Sequence, residues 1–215
     1  MNNWDIYNLV NYIINKEQTG NTFNSAEFQQ VLRKCSFDLI VKLASMYGRN
    51  TTVNNELKPF IERDKQINLS SGFGVIPSDY YYHLSTYYDF IVAGCPPLLQ
   101  EIPVELVDLV EFQSRKSGFY VQADEDYPIM SFDESRVKMF PKTIKSIKMT
   151  YIRIPIDPVV ATTINQTTLE EEYDAVNSVE LEWGTDAKYE IVSMILAYVG
   201  INLRSPEIVQ ISQQQ

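Results

Sequence analysis

Carboxylates are the first residues here whose type and spacing could do chemistry. They cluster at Asp124-Glu125-Asp126 and at Glu170-Glu171-Glu172 with Asp174. Paired carboxylates can hold Mg²⁺ or divide acid and base roles. Consecutive side chains in an extended segment point to opposite faces, so runs like these read first as solvated loops. The single histidine, His83, sits in the segment DYYYHLSTYY. One histidine leaves a single candidate for the base of a catalytic triad and argues against a His-based metal site. It reads as a contact residue rather than a base. Gly72-Phe73-Gly74 is a GxG without the third glycine or the helix start that a pyrophosphate loop requires, so it reads as a turn or strand kink. The two cysteines, Cys35 and Cys95, lie far apart with no CxxC, which argues against structural zinc. No cofactor and no metal is expected, and the chain reads as a non-enzyme. The competing enzymatic reading is a metal-dependent hydrolase using the acidic clusters.

Charge patterning offers a different chemistry, that of protein contact. The net charge is −10, which argues against gripping nucleic acid phosphates or anionic lipid. The charge is also segregated. Residues 136–153 hold six basic side chains (Arg136, Lys138, Lys142, Lys145, Lys148, Arg153) and no acidic one. Residues 100–135 before them hold two basic and nine acidic side chains, and residues 154–182 after them hold seven acidic and none basic. Two readings stay open. The acidic loops fold over a basic hairpin within one chain, or the hairpin of one copy meets Asp124, Glu125, Asp126, Glu170, Glu171 and Glu172 of the next. Complementary charge of the second kind sets register and specificity more than affinity. Tyr80, Tyr81 and Tyr82 are candidates for the apolar centre of such a contact, because buried aromatics dominate interface energetics.

The elements that position these residues follow from periodicity. Apolar residues recur at three and four over 4–16 and again over 25–47, where Asn24 with Glu27 predicts a capping box and Gly48 a helix stop. The two helices are expected to form an antiparallel hairpin across Thr19–Thr22. A shorter helix is predicted over 55–64. Residues 66–76 read as extended, and Pro77-Ser78-Asp79 as the start of a helical turn carrying the three tyrosines. Phe90–Val92 and Val104–Val107 read as strands, and Asp108 with Glu111 as the cap of a short helix to about Lys116. Three extended runs follow at 127–132, 136–140 and 144–153. In the last, Ile147, Met149 and Tyr151 alternate with polar residues as in a half-buried antiparallel strand. Residues 159–176 read as an acidic loop or arm, 186–198 as a helix, and Ser205-Pro206-Glu207 as the start of a last one. No signal peptide and no apolar run long enough to span a bilayer is recognised.

The expected fold is α+β: a helical bundle from the N- and C-terminal helices with an inserted antiparallel β portion. It is treated as a single domain, 1–215, with a helical part at 1–64 and 183–215. The β-rich part at 65–182 includes an acidic loop at 156–180.

Several stretches, taken in order, resemble a known family. They are the break at Thr19-Gly20-Asn21-Thr22 followed by Asn24-Ser25-Ala26-Glu27-Phe28, then Val75-Ile76-Pro77-Ser78-Asp79-Tyr80, Tyr127-Pro128-Ile129 and Phe140-Pro141-Lys142-Thr143-Ile144. Met149 to Pro155 with Pro158, Leu181-Glu182-Trp183, and Gly200-Ile201-Asn202-Leu203-Arg204 complete the set. This order resembles the small virion proteins of short-tailed phages of Bacteroidetes, including crAss-like phages, which form rings of the head-to-tail connector and tail. The resemblance implies an adaptor-like fold and a ring of about twelve copies beneath the portal protein, stacked on other ring or tail proteins. DNA would pass through the channel without specific binding, along a mostly acidic wall. No membrane is involved, and the location is the virion, assembled in host cytoplasm. Two further roles compete with the ring: a tail-tip or fibre-attachment adaptor of the same virion, and a monomeric module that binds a host protein.

Overall fold

The computed structural model describes residues 1–16, 23–92, 98–118, 122–166 and 171–199. The chain divides into two compact units, one built from Met1–Pro59 with the chain from Pro155 onward, the other from Phe60–Ile154.

In the first unit, local chemistry starts the helices. Helix α1 (Asn3–Lys16) follows a reciprocal pair in which the Asp5 N–H donates to Asn2 Oδ1 (2.7 Å) and the Asn2 N–H to Asp5 Oδ2 (2.8 Å). Helix α2 (Ser25–Ala44) carries the expected capping box: the Asn24 side chain accepts from the Glu27 N–H and the Glu27 carboxylate from the Asn24 N–H. Helix α5 (Thr185–Tyr198) packs against both. Ile6, Val10 and Ile14 of α1, Phe28, Leu32 and Leu39 of α2, and Ile191 and Ile195 of α5 are fully buried, as a 3.6-residue stripe requires. The buried Trp183 indole donates to Ser36 Oγ at 2.8 Å, joining the approach to α5 to the middle of α2. A short helix α3 (Thr51–Leu57) ends in a 3-10 turn.

The second unit is built from two four-stranded sheets. Strands β1 (Ile61–Asn68), β3 (Tyr80–Val92), β4 (Leu98–Pro103) and β8 (Ser146–Arg153) form the first, in the order β1-β8-β3-β4, antiparallel throughout. Strands β2 (Phe73–Val75), β5 (Glu105–Leu106), β6 (Ile129–Asp133) and β7 (Arg136–Phe140) form the second, in the order β2-β7-β6-β5. One apolar cluster draws on both sheets: Ile147, Met149 and Tyr151 of β8 with Met130, Val137 and Met139 of β6 and β7. The alternation read in β8 therefore marks the face turned to that shared core. Helix α4 (Leu109–Ser117) is capped by Asp108, whose side chain accepts from the Glu111 N–H.

The structure corrects the expected fold class. The chain is mixed α/β with five helices and three sheets among the described residues, and a helical bundle carrying one inserted β portion is not what it forms. Both units mix element types. Helix α4 belongs to the β-rich unit, and residues expected as an acidic loop form a hairpin, β9 (Thr162–Ile164) with β10 (Glu171–Tyr173), in the helical one. That hairpin is exposed on most of its side chains, so no alternation of apolar residues announces it. A second correction concerns Pro77–Tyr82. Instead of a helical turn, Tyr80 opens the thirteen-residue strand β3, since Tyr is at home on a pleated surface and β8 lies alongside to pair with it. The predicted third helix also ends early, and Ile61 onward is strand β1. The connection Thr19–Thr22 and the helix predicted at Ser205 lie outside the described residues.

Candidate functional site

The six basic residues do not form one hairpin. Strands β7 and β8 follow each other in sequence but belong to different sheets: β7 pairs with β2 and β6, β8 with β1 and β3. Arg136 and Lys138 therefore belong to one sheet, Lys148 and Arg153 to the other. Three of the six already have partners within the unit. Lys138 reaches Asp133 at 2.6 Å, Lys148 reaches Asp89 at 2.8 Å, and Arg153 lies 3.7 Å from Glu62 and over the Phe60 ring. The Lys148 ammonium also sits over the Tyr87 ring, and its pKa is raised chiefly by the hydrogen bond to Asp89. Arg136, Lys142 and Lys145 are exposed and make no ion pair among the described residues.

The acidic candidates are divided as well. Asp124, Glu125 and Asp126 lie in the loop before β6, in the β-rich unit, all exposed. Glu171 and Glu172 lie on β10 in the other unit, where the Asn165 amide donates to Glu172 at 2.6 Å. Glu170 lies outside the described residues. No group of three or more His, Cys, Asp or Glu among the described residues is placed to hold a metal ion.

The three tyrosines do not share one environment. A register shift between Tyr80 and Tyr82 breaks the simple alternation of β3. The Tyr80 ring packs 5.3 Å from Phe132 and 5.6 Å from Tyr151, and burial pushes its hydroxyl up to about 12. Tyr81 is half-buried and Tyr82 exposed. His83 is half-buried against Phe132, bonds Thr86 Oγ1 at 2.9 Å, and is lowered below its ordinary pKa by burial. Its threonine partner is itself buried. Cys35, on the apolar face of α2, is pushed up to about 11 by burial, which removes it as a nucleophile.

Two features escaped the sequence reading. The first is the end of the β3–β4 hairpin. Ile91 and Leu99 are directly opposite, 66% and 58% exposed, and Leu98 beside them is 67% exposed. Neighbouring residues of a strand face opposite ways, so both faces are uncovered at Leu98 and Leu99, while Tyr88, Phe90 and Ile102 further along the ribbon pack on the shared core. The second is an apolar cavity of about 210 Å³ beside α4 and β7, lined by Phe73, Phe112, Met139 and Phe140 and edged by lysines. The apolar runs Phe90-Ile91-Val92 and Leu98-Leu99 were the available signal for the arm. The cavity had none, because its walls come from three separate segments. Among the described residues no helix is long and apolar enough to cross a membrane. No protein-family model matches the chain, and a search of the curated proteins finds no match.

Proposed function

We propose that this chain is a self-associating structural subunit of a virion. In this reading about twelve copies form a ring in the portal-proximal connector or tail of a short-tailed phage, part of the conduit through which DNA leaves. The observation that carries self-association is the uncovered β3–β4 arm. Strand β4 is an edge with a single charged residue, Glu101, and adjacent leucines exposed on both faces. Edges that must stay alone are blunted by charge, bulges or cover. The opposite edge, β1, has such protection: a register shift between Glu62 and Lys65, with Asp64 at φ 54°, and four consecutive charged residues. Strand β4 has no such bulge or charge run, and beyond Tyr87 the β3–β4 ribbon has no third strand beside it. A protein partner that covers the arm removes both problems. Arg136, Lys142 and Lys145 on one side and Asp124, Glu125 and Asp126 on the other, none of them in an ion pair among the described residues, supply complementary charge for contacts between copies. The placement in a phage connector rests on the ordered sequence resemblance.

Sedimentation velocity and electron microscopy of the purified chain test the reading. Closed rings are the expected particles. A chain that stays monomeric at low and high salt, up to its solubility limit, overturns it.

A further inference from the structure

The β-rich unit carries a socket and a plug of matching chemistry. The socket is the 210 Å³ cavity. Its floor is built into the fold, since Phe112 and Met139 are buried. Gly72 lets the turn before β2 close on it: φ is +83°, and a Cβ there would lie 2.9 Å from the Met139 carbonyl oxygen. The rim is cationic. Lys138 is held by Asp133, while Lys116 and Lys142 are exposed and have no anionic partner among the described residues. Such a socket suits an aromatic side chain flanked by carboxylates.

The plug is the loop before β6. Asp124 Oδ1 accepts the N–H groups of Asp126 (3.0 Å) and Tyr127 (2.9 Å), and the Tyr88 hydroxyl donates to the Glu125 carbonyl oxygen. These bonds fix the backbone around Asp124-Glu125-Asp126, and none of the three carboxylates meets a cation among the described residues. At its end Tyr127 is 74% exposed. A large ring on a pre-ordered loop loses little conformational freedom on docking, which is the condition for an interface anchor. Within its own chain Tyr127 borders a different cavity, with Glu101 and Glu105, and takes no part in lining the aromatic one.

We propose that Tyr127 and its carboxylates dock into the Phe112–Met139–Phe140 socket of a second copy, with Lys116 and Lys142 facing Asp124–Asp126. When plug and socket of one copy engage two different neighbours, the joint is head-to-tail and propagates until the rotation closes. The inference rests on the self-assembly reading above and names one contact in it, separate from the β3–β4 arm.

Two blocked variants test it: Tyr127→Ala, which keeps the socket, and Lys116→Glu/Lys142→Glu, which keeps the plug. Each alone is expected to weaken assembly of the full chain about tenfold or more. Mixed in equal amounts, below the concentration at which either assembles alone, they can make one good joint, so the mixture is expected to give a heterodimer and nothing larger. Heterodimer formation also shows that both variants are folded. A wild-type ring that either variant reproduces at wild-type concentration overturns the docking and leaves self-assembly standing. So does a mixture that stays monomeric while wild type assembles. A monomeric wild type overturns both.

Discussion

Asn3 offers the sharpest test of how the helical unit is held together. Its side chain is fully buried at the start of α1, and it closes a bridge to a distant segment. The Asn3 amide donates to the Val179 carbonyl oxygen at 2.8 Å, and the Leu181 N–H donates to Asn3 Oδ1 at 3.1 Å. The Asn3 N–H itself donates to Glu180 Oε2 at 2.7 Å, a bond that replacing the side chain leaves in place. Asn3→Ala strands the buried Leu181 N–H, at about 1–3 kcal/mol, and removes the donor from Val179, at about 0.5–1.5 kcal/mol. The expected loss is about 2–4 kcal/mol, or roughly 5–15 °C in melting temperature for a unit of this size. Both tryptophans, Trp4 and Trp183, belong to this unit, so indole fluorescence during urea unfolding follows it separately from the other. Asn3→Asp keeps an acceptor for Leu181 but loses the donor and adds a buried carboxylate near Glu180, so it is expected to be no better than alanine. A loss below about 0.5 kcal/mol for alanine, or a wild-type aspartate variant, refutes the bridge.

Lys148→Glu should lower the melting midpoint, because it turns the pair with Asp89 into a repulsion beside Glu101, which lies directly opposite Asp89. Lys145→Glu, whose ammonium has no partner among the described residues, should leave the midpoint unchanged; equal effects would contradict the assignment. Burial holds His83 below its ordinary value of 6.5, so the unfolded chain takes up the proton first. Stability should therefore be intact above pH 6.5 and fall as pH drops from there toward the folded pKa. His83→Gln should flatten that part of the curve, and an unchanged slope rules the residue out as its source. A Cβ at Gly74 would lie 2.7 Å from Ile67 Cγ2 and 2.8 Å from Leu69 Cδ2, so Gly74→Ala should cost about 1–3 kcal/mol. Gly184→Ala, with open space around it, should cost far less by far-UV circular dichroism melts; parity between the two would mean that the β1–β2 corner yields to the extra methyl group.

Local chemistry was legible where it acts within a few residues. The capping box at Asn24 and Glu27, the Asp108 cap of α4, and the buried Ile147-Met149-Tyr151 face of β8 all lie where the residues placed them, whereas α2 ends at Ala44 with Ser45 as its cap, ahead of the stop expected at Gly48. The β9–β10 hairpin was not legible, because a ribbon exposed on both sides leaves no periodic trace. The tyrosine triplet misled for a related reason. Pro-Ser-Asp begins helices and turns alike, and the arrival of β8 across the chain settles the outcome for Tyr80–Tyr82.

The sequence by itself determined where helices begin, which strand face is apolar, and that positive charge collects between two acidic stretches. Only the tertiary structure decided what that charge does. By sending β7 and β8 to different sheets it paired Lys138, Lys148 and Arg153 with Asp133, Asp89 and Glu62, and it left Arg136, Lys142 and Lys145 unpaired among the described residues. Caps and alternation are set by neighbours in the chain. Strand partners and ion pairs are set by contacts between segments tens of residues apart, which composition and spacing do not specify.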